Sequence, residues 1–155
     1  MTIFIRKLAV VGLLAGVLGL SLAGIAAADP AAEIKFRQNN MKALGSHMGA
    51  LAAMVKGARP GSPLEIRTHA YAIGWMSRVA GELFPDGSGA GETRAKPEIW
   101  SQPDAFKKEL RIFKVAAWKL ELAAKDGDAA ALGAALGGLG KTCGSCHKAF
   151  RAKKK

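Results

Sequence analysis

The sequence predicts an all-α protein folded as an antiparallel four-helix bundle, and three observations carry that prediction. Four stretches repeat apolar residues at steps of three and four. Alanine, leucine, lysine and glycine dominate while aromatics make up 6% of the chain. Breaker-rich segments at 57–61 and 85–103, and Gly127, separate those four stretches. No amphipathic helix can hide its stripe alone, so the four share one core. At 155 residues, half of them apolar, the chain holds one domain and excludes a multidomain enzyme or a disordered protein.

Residues 1–28 read as a cleaved export signal. Arg6 and Lys7 form a basic start, Leu8 to about Leu22 is apolar, and Ala26-Ala27-Ala28 supplies the small residues before a cut ahead of Asp29. The alternative is a membrane anchor, because Leu8 to Ala28 is long enough to span a bilayer. Gly12, Gly16, Gly19 and Gly24 suit a signal better. Cleavage leaves a domain at 29–155 with no stable anchor, and the expected location is the periplasm.

Asp29-Pro30 opens helix one, which carries Ile34, Met41, Met48 and Val55 at seven-residue spacing, with Leu44 and Leu51 between them, to about Lys56. Gly57-Ala-Arg-Pro60-Gly61 stops it. Ser62-Pro63 is a cap and first-turn pair for helix two, whose stripe is Ile66, Ala70, Ile73, Ser77, Ala80 and Phe84, up to Pro85. Residues 85–103 hold too many breakers for a long helix and read as a crossing loop pinned to the body by Trp100. Helix three runs from Pro103-Asp104 through Phe106, Leu110, Phe113, Ala117, Leu120 and Ala124 to a stop at Gly127. Asp128 caps helix four, with Leu132, Leu136, Leu139, Cys143, Cys146 and Phe150 on its stripe, before the basic tail Lys153-Lys154-Lys155.

Lys+Arg number 23 against 12 Asp+Glu, a net charge of +11. That balance points to nucleic acid, a membrane surface or acidic proteins. Export removes the first, since an exported protein meets no chromosome.

The chemistry lies in Cys143-Gly144-Ser145-Cys146-His147, which holds the only two cysteines. This spacing is the c-type haem attachment pattern. Thiols at i and i+3 on one helical face reach two haem vinyl groups together, and the next residue, His147, offers its imidazole to the iron as proximal ligand. Three alternatives compete. A structural disulfide suits an oxidising compartment. A thioredoxin-type pair needs a strand leading into the motif, and none precedes Cys143. Zinc needs four N or S donors, and adding a distant His47 or His69 makes a poor set. The run from Ala135 to Thr142 nearly spells a phosphate-binding loop but lacks the strand before it. Gly137, Gly138 and Gly140 instead suggest close approach of a neighbouring backbone or a haem.

Arg37 shares the helix-one line of Leu44 and Leu51, where an apolar residue belongs. Either it is buried with an anionic partner, for which a haem propionate is available, or it snorkels at the helix edge.

Cys143-x-x-Cys146-His147-x-x-Phe150-Arg151 near the C-terminus of a small helical chain resembles the class II c-type cytochromes, meaning cytochrome c′ and its six-coordinate low-spin relatives. Class I cytochromes carry the motif near the N-terminus. Ile34-Lys35-Phe36-Arg37-Gln38, Leu83-Phe84-Pro85 and Ala95-Lys96-Pro97-Glu98-Ile99-Trp100 extend the resemblance over most of the mature chain. It implies one haem c joined through thioethers to Cys143 and Cys146, His147 as proximal ligand, and Arg37 and Arg151 against propionates. It also implies Met41 on the distal side, and often a homodimer through helices one and two.

Met41 divides two functions. As a sixth iron ligand its soft thioether favours Fe(II), and the protein is a monohaem electron carrier, not an enzyme, that meets acidic redox partners. That is the expected reading. With Met41 as mere packing, the iron is five-coordinate and high-spin and binds small gases such as nitric oxide or carbon monoxide. Met48, Met54 and Met76 read as core filler, His47 and His69 as surface or partly buried, and Tyr71, Trp75 and Trp118 as packing residues.

Overall fold

A computed structural model describes residues 29–154, so the expected signal at 1–28 lies outside it. Helix α1 spans Pro30–Val55, α2 Pro63–Val79, a short α3 Glu98–Ser101, α4 Pro103–Asp126 and α5 Ala129–Phe150. The four long helices form a closed ring in which α1 packs on α2, α2 on α4, α4 on α5 and α5 on α1. This is the expected four-helix bundle, and α3 is one turn inside the crossing loop.

The helix ends follow their local chemistry. The Asp29 side chain accepts from the Ala31 N–H, and Ser62 with Glu65 forms a reciprocal capping box at the start of α2. Asp128 accepts from the Ala130 and Ala131 N–H groups, and Gly127 ends α4 in the left-handed region at φ 74°. One expectation is corrected. The α-form of helix two stops at Val79, and Ala80–Leu83 tighten into a 3₁₀ turn before Phe84 leaves at φ −128°. Pro85 disfavours helical geometry at the residue before it, so the helix cannot run on to the end of its apolar stripe.

Leu44, Leu51, Ala70, Ile73, Ala117, Leu120, Leu132, Leu136 and Leu139 make the main core. Leu51, Ile73, Leu120 and Leu139 are fully buried, each worth roughly 1.5–3 kcal/mol in water-excluded surface. A second cluster of Ile99, Phe106 and Phe150 lies under the crossing loop with Phe84, Trp100 and Cys146 against it. Its rings meet edge-on, Phe106 to Phe84 at 4.9 Å and to Phe150 at 5.2 Å. Trp100 does pin the loop: its indole N–H donates to Phe84 O and Pro85 O.

Trp75 and Trp118 are not packing residues, being 68% and 52% exposed, and Tyr71 is also exposed. Their helices turn these positions outward, and Trp118 lines a shallow groove between α2 and α4 together with the half-exposed Arg78 and the buried Glu121. The close-approach reading of Gly137, Gly138 and Gly140 is likewise corrected for a neighbouring backbone. A Cβ at any of the three would meet nothing within 4 Å, and the near-phosphate-loop sequence is helix throughout.

Candidate haem site

Cys143, Cys146 and His147 lie in the last two turns of α5, all half-buried. Both cysteines are free thiols and not a disulfide. Burial raises the Cys143 thiol, and burial with the nearby Glu109 and Cys143 pushes Cys146 up to about 11, so both hold their protons at neutral pH. His147 moves the other way. Burial, then the cations of Arg151 and Arg94, lower its pKa, which keeps the imidazole neutral with a lone pair free for a metal. Gly144 opens onto empty space, and Ser145 donates to Glu109 at 3.0 Å, tying the motif to α4.

The crossing loop grips the end of α5. Lys96 N–H donates to Phe150 O at 3.0 Å, and Ala152 N–H donates to Arg94 O at 2.8 Å, pairing Ala95 with Arg151. The Lys96 ammonium donates to the last carbonyls of the helix, Ala149 O at 2.9 Å and Lys148 O at 3.3 Å. A cation there satisfies orphan acceptors at the negative end of the helix dipole. Arg151 is therefore placed by the loop just past the helix, exposed and one turn beyond His147.

Arg37 is buried at 4% exposure, as its position on the apolar line demands, and does not snorkel. Its partners are neutral oxygens of the 3₁₀ turn and the crossing loop. Nη1 donates to Leu83 O at 3.2 Å and Ser88 Oγ at 2.8 Å, Nη2 to Ser88 O at 2.8 Å and Thr93 Oγ1 at 3.0 Å. The guanidinium also lies 4.9 Å over the Phe84 ring, and burial lowers its pKa from the ordinary value. The terminal N–H groups are spent in this network, so a propionate contact falls to Nε or displaces one of the loop oxygens. Nothing in the sequence marked Ser88, Thr93 or Lys96 as partners, because each is brought in by the loop's path.

Met41 is half-buried one turn after Arg37, against the main core cluster that includes Leu44 and, one turn before Cys143, Leu139. Cys146 belongs to the other cluster. The motif thus stands between the two apolar clusters, with free thiols at i and i+3, a neutral imidazole next to them and cations around. That donor set fits a covalently attached haem.

The family model described as cytochrome c′ matches residues 32–151. The chain belongs to the cytochrome c′ family. It is 42% identical over 125 residues to cytochrome c′ of Pararhodospirillum photometricum, covering 80% of this chain and 99% of that protein. Cytochrome c-556 of Agrobacterium tumefaciens (strain II Chrys) is 36% identical over 124 residues, covering 80% of this chain and all of that one. Among solved structures, the nitric oxide complex of a leucine-to-alanine variant of cytochrome c prime from Alcaligenes xylosoxidans superposes with a TM-score of 0.77 at 34% identity, over 83% of this chain and 99% of that one. The family binds one covalent haem c, and Cys143 and Cys146 fit as its attachment residues. The match is to cytochrome c′ as a whole and does not single out the six-coordinate low-spin subtype that Met41 led us to expect.

Proposed function

We propose that this is a periplasmic cytochrome c′ that binds a small uncharged gas at a haem iron held by His147, with Met41 forming part of the distal wall. Haem supplies an iron that changes redox state and takes a diatomic ligand. The chain's residues set the rest. Cys143 and Cys146 anchor the group, and the neutral His147 imidazole donates one lone pair. Met41, half-buried beside Leu44, gives an apolar side that favours an uncharged diatomic over water or anions. Arg37 and Arg151 are the candidates for the propionates, Arg151 through its free guanidinium and Arg37 through the edge its loop network leaves. The observation that carries the reading is the whole-domain match to proteins named cytochrome c′, with a nitric oxide complex among the superposing structures.

A second reading, an electron carrier with His147 and Met41 as axial ligands, is favoured by Met41 being a thioether and by relatives named cytochrome c-556 and cytochrome c-554. In either case the exposed Arg94, Lys148, Arg151, Lys153 and Lys154 around the end of α5 suit an acidic redox partner, with an association rate that falls as salt rises. Exposed Phe36 on α1 and Leu64 on α2 suit a homodimer through those helices, which sedimentation would measure.

The visible spectrum of the purified protein, oxidised and reduced, with and without carbon monoxide, separates the readings. A broad high-spin spectrum that sharpens with carbon monoxide supports gas binding. Sharp low-spin bands with no response, converted to a responsive form by Met41→Ala, support the carrier and overturn the first reading.

A further inference from the structure

Two of the three histidines stand apart from the haem motif and face each other across the seam between α1 and α2. His47 Nδ1 and His69 Nδ1 are 2.8 Å apart, with ring centroids at 5.1 Å and the rings tilted by 59°. Both are half-buried, as are Ala43 and Ala50, one turn either side of His47, and Ala72, one turn after His69. As a hydrogen bond, the contact requires one ring to present Nδ1–H and the other a lone pair.

The geometry points to a two-histidine site for a borderline divalent cation, Cu(II) foremost, bridging His47 Nδ1 and His69 Nδ1. Metal–imidazole bonds of about 2.0–2.1 Å meeting at a right angle put two nitrogens about 2.8–3.0 Å apart, which is the separation found. Imidazole suits copper, nickel and zinc, and the Irving–Williams order places Cu(II) first. Both histidines keep part of their surface exposed, which leaves the remaining coordination positions to water. Binding needs one proton to move. The ring that donates through Nδ1 shifts to the Nε2–H tautomer by exchange with solvent, with no net proton released, and each ring turns about its Cβ–Cγ bond so that both Nδ1 lone pairs aim at the ion instead of at each other. Burial and the neighbouring ring lower the His47 pKa, which favours its neutral imidazole with a lone pair for the ion.

The test uses the haem-loaded protein and Cu(II) in a non-coordinating buffer. Calorimetry is expected to find a single tight equivalent, weakened about tenfold or more by either His47→Gln or His69→Gln. Electron paramagnetic resonance of the unmodified protein reads the site independently of any variant, and coupling to two imidazole nitrogens is the expected signature. The haem spectrum, which reports His147, should not change as copper is added. Binding that survives in the double variant, coupling to fewer than two nitrogens, or no binding at all would each overturn the proposal.

Discussion

Arg37 and Ser88, separated by 51 positions, are joined by two hydrogen bonds of 2.8 Å, one to the Ser88 hydroxyl and one to its carbonyl. Ser88 is as fully buried as any core residue, and its hydroxyl also donates to Pro85 O. A charge on the apolar line of α1 is thus matched by a polar turn of the crossing loop folded over it.

Arg37→Ala therefore strips four acceptors of their donor and leaves buried loop oxygens unpaired. The expected cost is on the order of 3 kcal/mol, with Arg37→Lys recovering less than half because a point charge cannot reach oxygens on both sides of the fork. Urea denaturation measures the loss. Hydrogen exchange should show it as faster opening of residues 87–93, and unchanged exchange there would sink the assignment.

Arg78 donates to both oxygens of the buried Glu121 carboxylate, at 3.0 and 3.1 Å, and stacks 4.6 Å from the Trp75 ring. Arg78→Ala leaves that carboxylate buried without its cation. Because Arg78 itself is half-exposed, the cost should be about 2 kcal/mol, below that of breaking a fully buried pair. Adding Glu121→Gln should regain part of it by removing the uncompensated charge, and a double-variant cycle checks this.

The same substitution should have opposite signs at different glycines. Gly137→Ala and Gly140→Ala point into open space from the interior of α5 and should each stabilise by about 0.4–1 kcal/mol, because alanine restricts the unfolded chain. Gly74→Ala would drive its Cβ into the Glu121 side chain and should destabilise. Thermal melts of the three variants decide it.

His47 is held below the usual histidine pKa, chiefly by burial and then by His69. The unfolded chain thus binds the proton more readily than the folded one. Stability should be fully present above about pH 6.5 and decline as acid carries the solution down toward the lower folded pKa. His47→Gln should flatten that part of the profile in melts between pH 7 and pH 5. An unchanged slope would show that the pair does not couple to folding.

The four helices, their caps and the haem motif were legible in the sequence because each rests on local rules. Asp29, Ser62 and Asp128 cap the helices they precede, Gly127 ends α4 with a positive φ, and Cys143 and Cys146 fall on one face by their spacing alone. The sequence alone also showed that Arg37 sits on the buried line. Only the tertiary structure decided what receives it, because Ser88 and Thr93 reach it through the path of a loop whose course no periodicity encodes, and Leu83 through the tightened turn before that loop. The outward turn of Trp75 and Trp118, the meeting of His47 with His69, and the clasp of Lys96 on the end of α5 belong to the same class. Local pattern sets which face of a helix is apolar. Which residues meet across two helices depends on how those helices rotate and slide against each other, and that is settled by packing the whole core at once.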